Sequence, residues 1–253
     1  MFYFGTNTKQ QLNQEQHEEV VEIAALLAKS NKDTQFFVLP TMPLLVPLKK
    51  MSFGSGLWVG SQRVSGNDGN TTGEISAKLI KELDADLVMV GHAERRAMGE
   101  KEKDIKQQLL ALQENNLLSI YCMGESEKEK SVQNRKDIFA KQLKVLKDLN
   151  IEKAIIGYEP VWSIGVNGTP AESSYVEESF DAIKSVLTDL GLNLKNFPLC
   201  YGGSVNIDNA KELAALDNCD GLFVGRSAWS KDGFRNVYDK AHAGFRSKQD
   251  LSA

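Results

Sequence analysis

Cysteine is scarce in this chain: Cys122, Cys200 and Cys219 are the whole complement among 253 residues. No two stand in C-x-x-C spacing, and three thiols cannot pair completely, so neither a disulfide framework nor a redox motif is expected. Histidine is as sparse, at His17, His92 and His242, and its scatter leaves no metal site expected. Long apolar runs are missing too. Nothing approaches the roughly 18 residues of a bilayer span, and Met1–Gly5 has neither the basic start nor the apolar core of a secretory signal. Nor does one sign of charge dominate: 30 Lys and Arg face 34 Asp and Glu, a net −4. Polyphosphate chains would find no general attraction here, so nucleic-acid binding is set aside. The expectation is a soluble, cytoplasmic protein with neither a nucleic-acid nor a membrane partner.

What is present is an alternation. At about 150 residues per domain the length allows one or two domains, and hydrophobic residues at 42% suffice for a sizeable core. Eight short apolar runs recur: Phe2–Thr6, Phe36–Leu39, Leu57–Gly60, Leu87–Gly91, Leu118–Met123, Ala154–Tyr158, Pro198–Tyr201 and Gly221–Val224. They are nearly continuous in Val, Ile, Leu and aromatics, as parallel strands covered on both faces must be. Between them the apolar period changes to that of a helix. Val20, Ile23, Ala24 and Leu27 form one stripe, and Ile138, Leu143 and Leu146 another. Asn13 and Glu172–Ser174 read as helix starts, and Gly191 as a helix stop. The run Glu125–Lys130 reads as a solvated helix start.

Eight βα repeats without a linker predict an α/β fold, a single-domain (β/α)8 barrel over residues 1–253. A doubly wound open sheet alternates in the same way, but its Gly-x-Gly-x-x-Gly turn does not follow an early strand. The same absence sets aside a dinucleotide-dependent oxidoreductase.

Barrels of this kind work at the C-terminal ends of their strands. There stand Asn7 and Lys9 after the first run, His92, Glu94, Arg95 and Arg96 after the fourth, and Glu159 after the sixth. Gly202-Gly203-Ser204 and Gly225-Arg226-Ser227 follow the last two, where backbone N–H groups often bind phosphate. Singly, each has a plainer reading: a strand-end Glu as a cap, a lone His as a structural hydrogen bonder, a Lys as surface charge, Gly-Gly-Ser as a turn. Jointly they put a base, an imidazole, an ammonium and an anion cradle in one mouth. That inventory suits proton abstraction beside a carbonyl of a phosphorylated substrate.

Gly91-His92-Ala93-Glu94-Arg95-Arg96, Gly157-Tyr158-Glu159-Pro160-Val161-Trp162-Ser163-Ile164-Gly165, Tyr201-Gly202-Gly203-Ser204-Val205 and Asp220-Gly221-Leu222-Phe223-Val224-Gly225 resemble triosephosphate isomerase. Thr72-Gly73-Glu74-Ile75-Ser76 and Cys122-Met123-Gly124-Glu125 do so too, and the likeness runs collinearly from Gly5 to about Trp229. The resemblance implies a cofactor-independent aldose–ketose isomerase that interconverts dihydroxyacetone phosphate and glyceraldehyde 3-phosphate. Glu159 would be the base, with a neutral His92 polarising the carbonyl, a pairing for which this family is itself the standard example. Lys9 would supply positive charge, Asn7 a donor beside it, and Glu94 the carboxylate near Lys9. Backbone groups of Gly165, Ser204, Gly225 and Arg226 would hold the phosphate. Residues 160–170 would form a lid. Gly69–Gly73 would enter a neighbouring subunit of a homodimer, with Thr72 the intruding residue.

The departures from the family pattern are specific. Asn7-Thr8-Lys9 replaces Asn-Trp-Lys, Ala93 a serine, Asn167-Gly168 a Gly-Lys, Pro170 an alanine whose N–H would bond Tyr201, and Gly225-Arg226 a Gly-Gly. All the chemical residues persist while their surroundings change. Triose phosphate isomerisation is therefore the first expectation, with a related short ketose phosphate, such as a tetrulose phosphate, as the alternative. A phosphate-binding barrel without catalysis ranks last, because Glu159, His92 and Lys9 are all present.

Overall fold

The first strand shows how the layers form. In β1 (Phe2–Asn7), Phe2 and Phe4 are buried on one face, and Tyr3 stands on the other against Trp58 at 6.4 Å between ring centroids. Phe4 meets Phe234 and Tyr238 of the last helix edge-on, at 5.2 and 5.3 Å. Period-two alternation thus gives each strand a helix-facing and an interior side. The computed structural model describes all residues except 68, 130, 166, 167 and 253, and the side chains of all but these and residues 251 and 252.

Seven further strands follow: β2 (Thr34–Leu39), β3 (Trp58–Val59), β4 (Leu87–Val90), β5 (Leu118–Met123), β6 (Ala154–Tyr158), β7 (Leu199–Tyr201) and β8 (Gly221–Val224). Every pairing is parallel, in the order β3-β2-β1-β8-β7-β6-β5-β4. Ser61 closes the seam between β3 and β4: its N–H donates to Leu87 O at 3.0 Å, and its carbonyl accepts from Met89 N–H at 2.9 Å. The result is the expected (β/α)8 barrel, with all eight predicted runs as strands, the third shortened to two residues.

Side chains fill the interior rather than leaving a pore. Phe37, Leu39, Leu87, Met89, Ile120, Cys122, Ile155, Cys200 and Phe223 make one inner cluster. Gly5 is what admits Phe37: a Cβ there would lie 2.4 Å from its ring. The larger outer cluster lies between strands and helices. Helix α1 (Gln14–Ser30) buries the predicted stripe, and its Asn13 cap is reciprocal: Gln16 N–H donates to Asn13 Oδ1 at 2.9 Å, and Asn13 N–H to Gln16 Oε1 at 3.0 Å.

Helices α2 (Leu45–Met51), α3 (Ala77–Glu82), α4 (Ala93–Ala97), α5 (Glu102–Glu114) and α6 (Val132–Asp148) follow. The core stripe of α6 runs through Phe139 rather than the half-buried Ile138. Helix α7 (Ser173–Asp189) ends before Gly191, whose φ of +72° suits a residue without a Cβ. Helices α8 (Ala210–Ala215) and α9 (Lys231–Ser252) complete the jacket. Among the described residues no helix is long and apolar enough to cross a membrane.

Candidate active site

The end of β1 carries a strained turn. Lys9 has φ +53°, a left-handed conformation that a residue with a Cβ holds only where its surroundings enforce it. Here they do. Lys9 N–H donates to Asn7 Oδ1 at 2.9 Å, and Gln62 Nε2 donates to the carbonyls of Lys9 and Leu39 at 2.9 and 3.0 Å. Thr8 lies 2.9 Å from Nε2 of the fully buried His17, whose Nδ1–H donates to the Asn13 carbonyl at 2.7 Å. The Lys9 side chain then reaches Glu94, with Nζ 2.5 Å from Oε1. Gln62 and His17 were not legible as site residues; the only signal was the Thr8 departure, which is where His17 bonds.

His92 caps α4 with its ring. Its Nδ1 accepts the Glu94 N–H at 3.2 Å, which requires a lone pair there and leaves the ring proton on Nε2. That Nε2 lies 3.6 Å from Glu159 Oε1. Glu159 follows β6, with its N–H on Met123 O at 2.8 Å, and is 2% exposed. Burial pushes its carboxyl above the ordinary value of 4.5, with the Lys9 ammonium opposing. Its Oε2 has no hydrogen bond among the described residues, and the neighbouring Ala93 has no hydroxyl to offer. Beneath it, burial and then the Glu159 charge hold the Cys122 thiol well above its usual range, so sulfur stays protonated there.

Lys9, Glu94, Gly165, Ser204, Gly225 and Arg226 line one open mouth of about 740 Å³. The structure therefore brings together nine of the ten residues singled out: these six, with His92 and Glu159 facing each other and Asn7 buried at the end of β1. Thr72 stands apart, exposed on the loop between β3 and α3. Arg226 points to the loop after β6, where its Nη2 donates to the Gly165 carbonyl at 3.1 Å. The Asn167 departure lies outside the described residues. The Tyr201 hydroxyl, the expected partner of the replaced alanine N–H, is buried and lies against Ser163 and the backbone of Ala171 and Ser204 instead.

The expectation for Glu125–Lys130 needs correcting. Glu125 is 1% exposed and belongs to no helix. Its carboxylate accepts from Trp162 Nε1 at 3.0 Å, Tyr175 Oη at 2.8 Å and Tyr158 Oη at 3.1 Å. It anchors the base of the 160–170 loop.

Compared with known proteins, residues 2–241 match the family model described as triosephosphate isomerase. The match takes in all eight strands and every residue of the mouth. The chain belongs to the triosephosphate isomerase family. It is similar to the L-erythrulose-1-phosphate isomerase of Rhizobium etli, 34% identical over 238 residues, which is 89% of this chain and 88% of that protein. The protein of the same name from Mesorhizobium japonicum is 32% identical over 251 residues, 96% of this chain and 98% of the relative. The probable triosephosphate isomerase 2 of Listeria monocytogenes is 30% identical over 240 residues, 92% and 94% of the two chains. This member of the family is an isomerase acting on a sugar phosphate.

Proposed function

We propose that the protein isomerises a short ketose phosphate through an enediolate, and that its substrate has four carbons. The carrying observation is the opposition of the buried Glu159 Oε1 and His92 Nε2 at 3.6 Å, with His92 beside Glu94, which lines the mouth and pairs with Lys9. Glu159 takes the hydrogen from the carbon next to the carbonyl and returns it to the former carbonyl carbon. His92, carrying its proton on Nε2, donates to the carbonyl oxygen and shuttles the hydroxyl proton between the two oxygens. Lys9 and Asn7 stabilise the oxyanion, Glu94 orients Lys9, and backbone groups of Gly165, Ser204, Gly225 and Arg226 hold the phosphate.

In erythrulose 1-phosphate the carbon losing its hydrogen carries a CH2OH group that dihydroxyacetone phosphate lacks. The same 1,2-shift moves the carbonyl from C2 to C3, so the product, renumbered, is erythrulose 4-phosphate. Two relatives named for erythrulose phosphate support the longer substrate, as do the altered surroundings at Thr8, Ala93, Pro170 and Arg226. This reverses the order in which the sequence ranks the two substrates. The triose reaction is the second reading, favoured by the name of the Listeria relative.

Steady-state rates on both substrates decide between them. A kcat/KM above about 10⁴ M⁻¹s⁻¹ on erythrulose 1-phosphate, with a far lower value on dihydroxyacetone phosphate, is expected. The reverse ratio would establish the triose reading. Solvent deuterium failing to enter either compound would end both. A homodimer and a cytoplasmic setting belong to the same proposal.

A further inference from the structure

Two cations line the mouth, and they are not equivalent. Lys9 is already paired with Glu94 at 2.5 Å. Arg226 makes no ion pair among the described residues, and its one hydrogen bond goes to a neutral acceptor, the Gly165 carbonyl, at 3.1 Å. The unneutralised positive charge of the mouth is therefore on Arg226.

The platform beneath it is fixed. Arg226–Ala228 form a single 3-10 turn after β8, and Trp229 Nε1 at its end donates to the Asn7 carbonyl at 2.9 Å. The turn is thus tied to the end of β1, where the Lys9 strain is held. On the other side, the loop after β6 has Pro170, which has no N–H to give. An arginine with five donors in a planar fork can hold a carbonyl with one nitrogen and an anion with the others; a lysine ammonium has no such fork.

We propose that Arg226 couples the loop after β6 to the phosphate end of the site, its guanidinium holding the Gly165 carbonyl and a bound phosphate dianion at the same time. The coupling rests on the reading of the mouth as a sugar phosphate site. Because coupling between two sites is reciprocal, the dianion orders the loop and the ordered loop tightens the dianion.

Inorganic phosphate is the probe, and wild type is compared with Arg226→Gln and Arg226→Lys, each verified to keep the wild-type melting temperature. Calorimetry measures phosphate affinity, hydrogen exchange follows the 160–165 amides with and without saturating phosphate, and steady-state kinetics give KM and kcat. Wild type is expected to bind phosphate and slow exchange at these amides. Arg226→Gln should weaken phosphate binding and raise KM by roughly ten- to a hundredfold, as for loss of a charged hydrogen bond, and lose the protection even at saturation. Arg226→Lys should recover much of the affinity but not the protection. Arg226→Gln with wild-type affinity, or with full protection at saturation, would overturn the coupling, as would a wild type that binds no phosphate. If wild type binds phosphate but turns over no ketose phosphate, the functional reading fails while hydrogen exchange still decides the coupling. If turnover is present and the Gln variant matches wild type throughout, only the coupling fails.

Discussion

A carboxylate sealed from water is a strong base and a poor contributor to stability, and Glu159 combines both properties. Burial raises its folded-state value above 4.5, so across that window the folded protein holds a proton that the unfolded chain has released. Stability therefore falls as pH rises from the ordinary carboxylate value through the raised one, and stays lower above it. Glu159→Gln removes the base while keeping the shape. Turnover is expected to fall by at least the roughly 10²–10⁴ typical of a positioned acid–base group, while the melting temperature at pH 8 rises above that of wild type. The gap should close as pH drops below the raised value. A variant that melts lower at every pH would contradict the burial argument, and one with undiminished turnover the catalytic one. At this scale the sequence was informative because position after a strand marks a residue's place in the mouth. It was silent on Thr8–His17 and on Gln62–Lys9, since those bonds join residues 9 and 53 positions apart through folds of the backbone that no local pattern encodes.

Elements were legible where periodicity controls them, and less so where one polar side chain does. Strands and the α1 cap follow from apolar period and capping chemistry. The Glu125 loop does not, because a charge run looks the same whether its first member is solvated or sealed by donors 33, 37 and 50 residues away. That carboxylate links β6, the base of the 160–170 loop and α7 through Tyr158, Trp162 and Tyr175. Glu125→Leu would leave the Trp162 indole N–H without this acceptor and deprive both phenols of it, so a loss of about 1.5–3 kcal/mol or more in denaturant unfolding is expected. Glu125→Gln keeps an acceptor oxygen at the same place and should lose less. Equal losses in the two variants would mean that shape, rather than hydrogen bonding, holds the loop base. Because the same loop carries Gly165 into the mouth, the Leu variant should also raise KM.

At the scale of the whole molecule, eight alternations without a linker were enough to read the barrel, whereas assembly could be taken only from family resemblance. The structure supplies a physical reason to test it. Residues 69–73 are exposed throughout, held at their base by the Arg63–Glu74 ion pair at 2.6 Å and by the Ser65 N–H on Ile75 O at 2.8 Å. They stand beside a cavity of about 340 Å³ lined by Ser65, Asn67, Thr71, Arg95, Met98 and Gln108. An exposed polar stretch next to a hollow suits a self-complementary contact between two copies, each loop filling the other's recess. Lys9 and Glu94 are 24% and 56% exposed at the side-chain level, so a neighbour's Thr72 arriving there would shield the pair and hold Lys9 more firmly toward the substrate. Sedimentation is accordingly expected to give twice the 28.0 kDa chain mass. Thr72→Arg, which places a guanidinium where the loop must insert, should shift the species to the single-chain mass and lower kcat together with it. A Thr72→Arg protein that is monomeric and fully active would show that one chain completes its own site, and that the loop serves assembly alone.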